Sequence, residues 1–160
     1  MIILGIDPGT ASMGYGVIKI HENRPVLKST SVIKTSPEMD MHKRLGVLYS
    51  NLDDIAKTFK PELVVIESLF FNTNTKTAIT VGQARGISML VAAHNNASVV
   101  EYTALQAKKI LTGYGRSDKK EMQQAVKKIL GLSNHIKSDD ANDGVAMALC
   151  HFMLSEEKKK

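Results

Sequence analysis

Tryptophan is absent, aromatic residues make up 5% of the chain, and a single cysteine, Cys150, stands among 160 residues. One thiol excludes an internal disulfide, and the chain reads as intracellular. Long apolar runs are missing too: nothing approaches the roughly 18 uninterrupted apolar residues of a membrane span. The opening Met1–Ile6 run is broken by Asp7 and lacks a basic flank, so it is too short for a signal peptide. The expectation is a cytoplasmic protein with no membrane partner. His21, His42, His94, His135 and His151 keep no close ligand spacing, which removes support for zinc. Repeats and linkers are lacking as well. What is present is a 43% hydrophobic composition, enough for one core and too much for disorder.

The charge is unevenly placed. The net +5 comes from 21 basic and 16 acidic residues. Between Ala104 and Lys137 stand eight basic residues and two acids, a net +6, which leaves the remainder at −1. A localised basic segment points to an anionic partner rather than to general solubility.

Hydrophobic periodicity gives the element order βββαβαβααα. Ile2–Ile6 is an apolar strand stopped by Asp7-Pro8-Gly9-Thr10, and Tyr15–Ile20 and Val26–Thr35 complete a meander around a turn at Asn23. Leu45, Leu48, Leu52, Ile55 and Phe59 then recur at helical spacing up to Pro61. Leu63–Ile66 is a buried strand ending at Glu67, and Thr75–His94 is a helix with Gly82 and Gly86 one turn apart. A fifth strand at Ala97–Tyr102 precedes helices at Thr103–Leu111, Ser117–Leu130 and Asp139–Glu156. This order predicts an α/β fold: a five-stranded mixed sheet in which an antiparallel meander is joined by right-handed crossovers to parallel strands, with helices on both faces. Residues 1–155 are expected to form one domain and residues 156–160 a charged tail.

Four carboxylates sit where chemistry is plausible. Asp7 and Glu67 each end an apolar strand, where burial is costly unless the charge is paired or bound to a cation. If those strands are parallel neighbours, the two acids lie about 5 Å apart and are able to bridge a divalent metal. Asp140 and Asp143 share one face at the start of the last helix, whereas Asp139 points away and serves as the capping member. Hard oxygen ligands of this kind suit Mg²⁺, with Mn²⁺ as a substitute. Two such ions roughly 4 Å apart favour phosphodiester hydrolysis.

Gly5-Ile-Asp-Pro-Gly9, Ile66-Glu-Ser-Leu-Phe70, Gly82-Gln-Ala-Arg-Gly86, Glu101-Tyr102 and Asp140-Ala-Asn-Asp-Gly-Val-Ala146 occur in order at suitable spacing. Together they resemble the RuvC family of crossover (Holliday) junction endodeoxyribonucleases, from Ile2 to about Phe152. The resemblance implies a ribonuclease H-like fold and a homodimer that nicks two opposed strands of four-way junction DNA, leaving 5′-phosphate and 3′-hydroxyl ends. It further implies two Mg²⁺ held by Asp7, Glu67, Asp140 and Asp143, and a RuvA–RuvB branch-migration complex as partner. Asn142 and Gly144 depart from the alanines frequent in relatives.

Lys108 and Lys119 match the family's basic positions near the scissile phosphate, and Phe70 matches an aromatic that stacks on bases. Arg116 and Lys120 flank a loop that opens onto a helix N-terminus, where backbone amides meet phosphate. Lys119 and Lys120 stand in that helix's first turn, where the macrodipole disfavours positive charge, so structure alone explains them poorly. Arg85 is read as a further DNA contact, with a helix ion pair as the alternative. An actin-like ATPase is excluded by length, since it needs duplicated domains. A YqgF-like RNA nuclease of the same fold and a non-catalytic junction-binding module are the remaining alternatives.

Overall fold

The structure, a computed structural model, describes residues 1–69 and 74–159. Strands β1 (Ile2–Asp7), β2 (Ser12–His21) and β3 (Arg24–Lys34) form the meander, and α1 (Met41–Phe59) leads to β4 (Leu63–Ser68). After α2 (Thr75–His94) and β5 (Ser98–Thr103) come α3 (Ala104–Thr112), α4 (Lys119–Leu130) and α5 (Asp139–Glu157). The sheet order is β3-β2-β1-β4-β5, with β1 antiparallel to β2 and parallel to β4. The expected mixed sheet is therefore present. The strands run slightly longer than hydrophobicity alone indicates, because β2 and β3 pair down to a two-residue turn. That turn is Glu22-Asn23, with φ of 48° and 58°, the left-handed pair that suits the twist of a tight hairpin.

Alternation along the central strands decides which side chains meet which helices. Leu4, Ile6, Val64 and Ile66 enter a core with α1 and α2, whereas Ile3, Leu63 and Val65 enter a second core with α3, α4 and α5. Helices therefore cover both faces. Because the side-chain period is two, Asp7 and Glu67 continue the Ile3 and Val65 rows and face α5.

Helix α5 crosses β1 and β2 at backbone contact. A Cβ on Gly5 would stand 2.0 Å from the Gly144 carbonyl oxygen, and one on Gly14 would stand 1.7 Å from that of Asp140. Gly144 answers from the helix side, since a Cβ there would meet Tyr15 Cα at 2.7 Å. Val145, Leu149 and Cys150 are fully buried beneath it, each large apolar side chain contributing about 1.5–3 kcal/mol. Gly5→Ala is expected to destabilise the protein by about 1–3 kcal/mol, the usual range for overpacking. Gly46, exposed on α1 with nothing within 4 Å of its would-be Cβ, is the control. There, alanine should stabilise by about 0.5–1 kcal/mol. Urea denaturation of the two variants checks both signs.

Candidate active site

Parallel pairing puts Ile6 opposite Ile66, so Asp7 and Glu67 leave adjacent strand ends side by side. Glu67 is buried and Asp7 half-buried. Their carboxyl groups lie within hydrogen-bond reach of each other, a contact that raises the Asp7 pKa and opposes the rise of Glu67. Burial, then the charges of Glu67, Asp143 and Asp140, push the Asp7 pKa up to about 8. Burial and Asp143 also raise Glu67, opposed by the bond to Asp7 and by the Lys108 charge.

The other two acids descend from α5. Ser138 caps that helix, its hydroxyl accepting from the Ala141 amide, and Asp140 and Asp143 follow three residues apart. The glycine contact lays this first turn across the ends of β1 and β2. Asp140 lies close enough to β2 for its carboxylate to accept the Ser12 hydroxyl. Asp143 is raised to about 6 by burial first, then by Asp139 and Asp140, with Lys119 and Lys108 working the other way. The structure thus brings all four sequence-predicted acids within one another's fields. Among the described residues, no three acidic, histidine or cysteine side chains already converge as a set of metal ligands. Asp140 is turned toward Ser12, whose hydroxyl it accepts. The donor set nonetheless fits a hard divalent cation, because buried carboxylates that raise each other's pKa gain most from added positive charge.

Beside Glu67 and Asp143 opens a cleft of about 320 Å³ between α3, α4 and α5, with Lys108, Lys119, Asp139 and Asn142 among its walls. Lys108 makes no ion pair among the described residues and lowers the pKa of both neighbouring acids. Lys119 donates to Asp139 Oδ2 at 2.7 Å, and the bond raises its pKa. This corrects the expectation for Asp139. Ser138 is the cap, and Asp139 turns into the cleft, where Gln123 Nε2 also donates to its Oδ1 at 3.2 Å. The unfavourable place of Lys119 at the N-terminus of α4 was the signal that an acid stood nearby.

The remaining predicted contacts separate. Arg116 and Lys120 are exposed on the loop and first turn beside the cleft. The intervening loop is pinned: Ser117 is buried and donates to the Tyr114 carbonyl at 2.7 Å. Arg85 is engaged with Glu101 at 2.6 Å, so phosphate would have to compete with a carboxylate for it. Phe70 lies outside the described residues. His151 accepts or donates at Nδ1 to the Tyr102 hydroxyl at 2.9 Å, and burial lowers its pKa, which ties it to the core. Asn142 escaped the sequence reading as a cleft residue. It is 2% exposed, and its Oδ1 has no partner among the described residues.

The acid cluster fixes a pH dependence of the metal-free protein. A carboxyl whose folded pKa stands above its unfolded value binds more protons folded than unfolded, so stability falls as pH rises between the two. For Asp7 that window runs from 3.8 to about 8, and for Asp143 from 3.8 to about 6. In chelator-treated protein, the melting temperature should therefore decline from pH 5 to pH 8. Asp7→Asn should flatten that decline and raise the melting temperature at pH 8. An unchanged slope in the variant contradicts the assignment.

Residues 3–151 match the family model described as Crossover junction endodeoxyribonuclease RuvC. A protein of that name from Desulforamulus reducens is 47% identical over 155 residues, covering 97% of this chain and 95% of its relative. One from Clostridioides difficile is 46% identical, with 99% and 94% covered. Among solved structures, Thermus thermophilus RuvC in complex with a Holliday junction substrate superposes with a TM-score of 0.92 at 31% identity, covering 99% of this chain and 96% of that one. The sheet is accordingly of the ribonuclease H-like type. With the family model matching residues 3–151 and relatives of that name near 46% identity over almost the whole chain, the chain belongs to the RuvC family of crossover junction endodeoxyribonucleases.

Proposed function

We propose that this chain is a metal-dependent endodeoxyribonuclease that resolves Holliday junctions by paired symmetric nicks. The observation that carries the reading is the meeting of Asp7 and Glu67 on adjacent parallel strand ends with Asp140 and Asp143 on α5, beside a cleft that presents Lys108 and Lys119. The family match over residues 3–151 favours this over a YqgF-like RNA nuclease, and the four acids favour it over a non-catalytic binding module.

Asp7, Glu67, Asp140 and Asp143 would hold two Mg²⁺ ions, with Mn²⁺ as substitute. When bound, the ions activate water and offset charge on the leaving oxygen. The chain's own residues do the rest. Asp7 and Glu67, whose pKa values burial and repulsion between the acids raise, would be held in their charged form by a bound cation. Lys119, with Lys108 on the opposite wall, donates to the non-bridging oxygens of the phosphate as charge accumulates there. Arg116 and Lys120 contact neighbouring phosphates, Phe70 stacks on a base, and Arg85 contributes once released from Glu101. Products carry 5′-phosphate and 3′-hydroxyl ends.

One chain supplies one such site, and a junction presents two related strands, so the acting species is a twofold homodimer. Its candidate interface is the outer face of α2, where Ile79 is 62% and Leu90 44% exposed and, among the described residues, Gly82 and Gly86 have no atom within 4 Å of a would-be Cβ. A RuvA–RuvB complex and a cytoplasmic setting complete the proposal. No described helix is long and apolar enough to cross a membrane.

Cleavage of a synthetic mobile four-way junction with Mg²⁺ tests the reading. The natural chain should give paired nicks, and Asp7→Asn should bind without cutting. Lys119→Ala should slow cleavage about 10²-fold, the usual cost of losing one transition-state donor, with little loss of affinity. An Asp7→Asn protein that cleaves at the natural rate contradicts the site. For the dimer, Leu90→Asp should sediment as a monomer at concentrations where the natural chain does not.

A further inference from the structure

Resting on the reading that Lys119 acts on the scissile phosphate, we propose that Asp139 is a positioning residue that holds Lys119 ready for that phosphate and away from the metal-ligating acids. Lys119 is the first residue of α4, its side chain is 78% exposed, and nothing on its own helix holds it. A lysine so placed has four freely rotating bonds and a charge that the helix N-terminus disfavours. Asp139 supplies the missing restraint through Oδ2 at 2.7 Å.

The restraint is itself restrained. Gln123, one turn along α4 from Lys119, donates to Asp139 Oδ1 at 3.2 Å, so both carboxylate oxygens are held from α4. The Asp139 backbone is the first residue of α5, whose N-terminus favours its charge. The clamp thus spans the two helices that wall the cleft. An ammonium has three N–H donors, and one bond to Asp139 leaves two for phosphate oxygens.

The alternative resting place for Lys119 explains why a clamp is needed. Asp143 and Asp140 both lie within electrostatic reach of its ammonium. With Asp139 neutralised, Asp143 becomes the strongest nearby anion, and Lys119 turns toward a carboxylate required for the cation. Asp139 therefore acts through Lys119 and touches neither substrate nor reacting atoms.

Single-turnover cleavage at saturating protein tests this, with Asp139→Asn, Asp139→Glu, Lys119→Ala and the Asp139→Asn/Lys119→Ala double variant. Asp139→Asn should lower the rate about 10-fold or more while junction affinity stays within about 2-fold, a misplacement effect. Asp139→Glu, which keeps the charge, should recover much of the rate. In the Lys119→Ala background, Asp139→Asn should cost nothing further. Mn²⁺ affinity, read by electron paramagnetic resonance without DNA, should fall in Asp139→Asn and recover in the double variant. Losses that multiply, or Asp139→Asn at the natural rate while Lys119→Ala is slow, overturn the positioning role and leave the nuclease reading intact. Failure of the natural chain to cleave overturns that reading instead.

Discussion

The contact between the α5 backbone and the glycines of β1 and β2 is the constraint on which the rest of the site depends. Gly5 and Gly14 place a would-be Cβ inside the carbonyls of Gly144 and Asp140, so the helix rests on the sheet closer than any side chain would permit. That proximity makes the proposed metal site possible. Strand ends carry Asp7 and Glu67 to one spot, but their partners come from a segment more than 70 residues later. A helix held off by side chains at positions 5 and 14 would carry Asp140 and Asp143 farther from the strand ends. Gly144 completes this seam from the helix side, where a Cβ would meet Tyr15 Cα at 2.7 Å.

Close packing of four carboxylates would be self-defeating without an answer to their repulsion. In the structure the answer is local and partial. Burial and repulsion raise the Asp7 pKa beside Glu67, Ser12 donates to Asp140, Asp139 takes Lys119, and the Lys108 charge opposes the rise of Glu67 and Asp143. Two lysines of the basic segment between Ala104 and Lys137, Lys108 and Lys119, line the same cleft, so the proposed phosphate contacts and the partial stabilisation of the acids come from the same side chains. The net charge of +5 conceals this division, because the acids and the bases meet only in the folded chain.

Much of this was legible in the sequence. The switch from strand to helix periodicity gave the element order, and a charged residue ending an apolar run marked Asp7 and Glu67. The three-residue spacing of Asp140 and Asp143 marked a shared face. Asp139 was not legible, because the rotation of α5 is set by its glycine contact and not by its own pattern. A pattern on an isolated helix says which residues share a face, not what that face meets. Arg85 shows the same limit: its commitment to Glu101 follows from α2 lying over β5. Ser12 was missed because a hydroxyl at a strand start carries no signal until a carboxylate is placed beside it.

The central claim is that four carboxylates, brought together by backbone contact and with Asp7, Glu67 and Asp143 raised in pKa by burial and repulsion, suit a divalent cation. Isothermal titration of Mn²⁺ into metal-free protein at pH 7, repeated in two buffers of different ionisation enthalpy, tests it directly. With the Asp7 pKa near 8, the account predicts two ions bound per chain and about one proton released into the buffer. Binding with no proton release, or no binding at millimolar Mn²⁺, would contradict it.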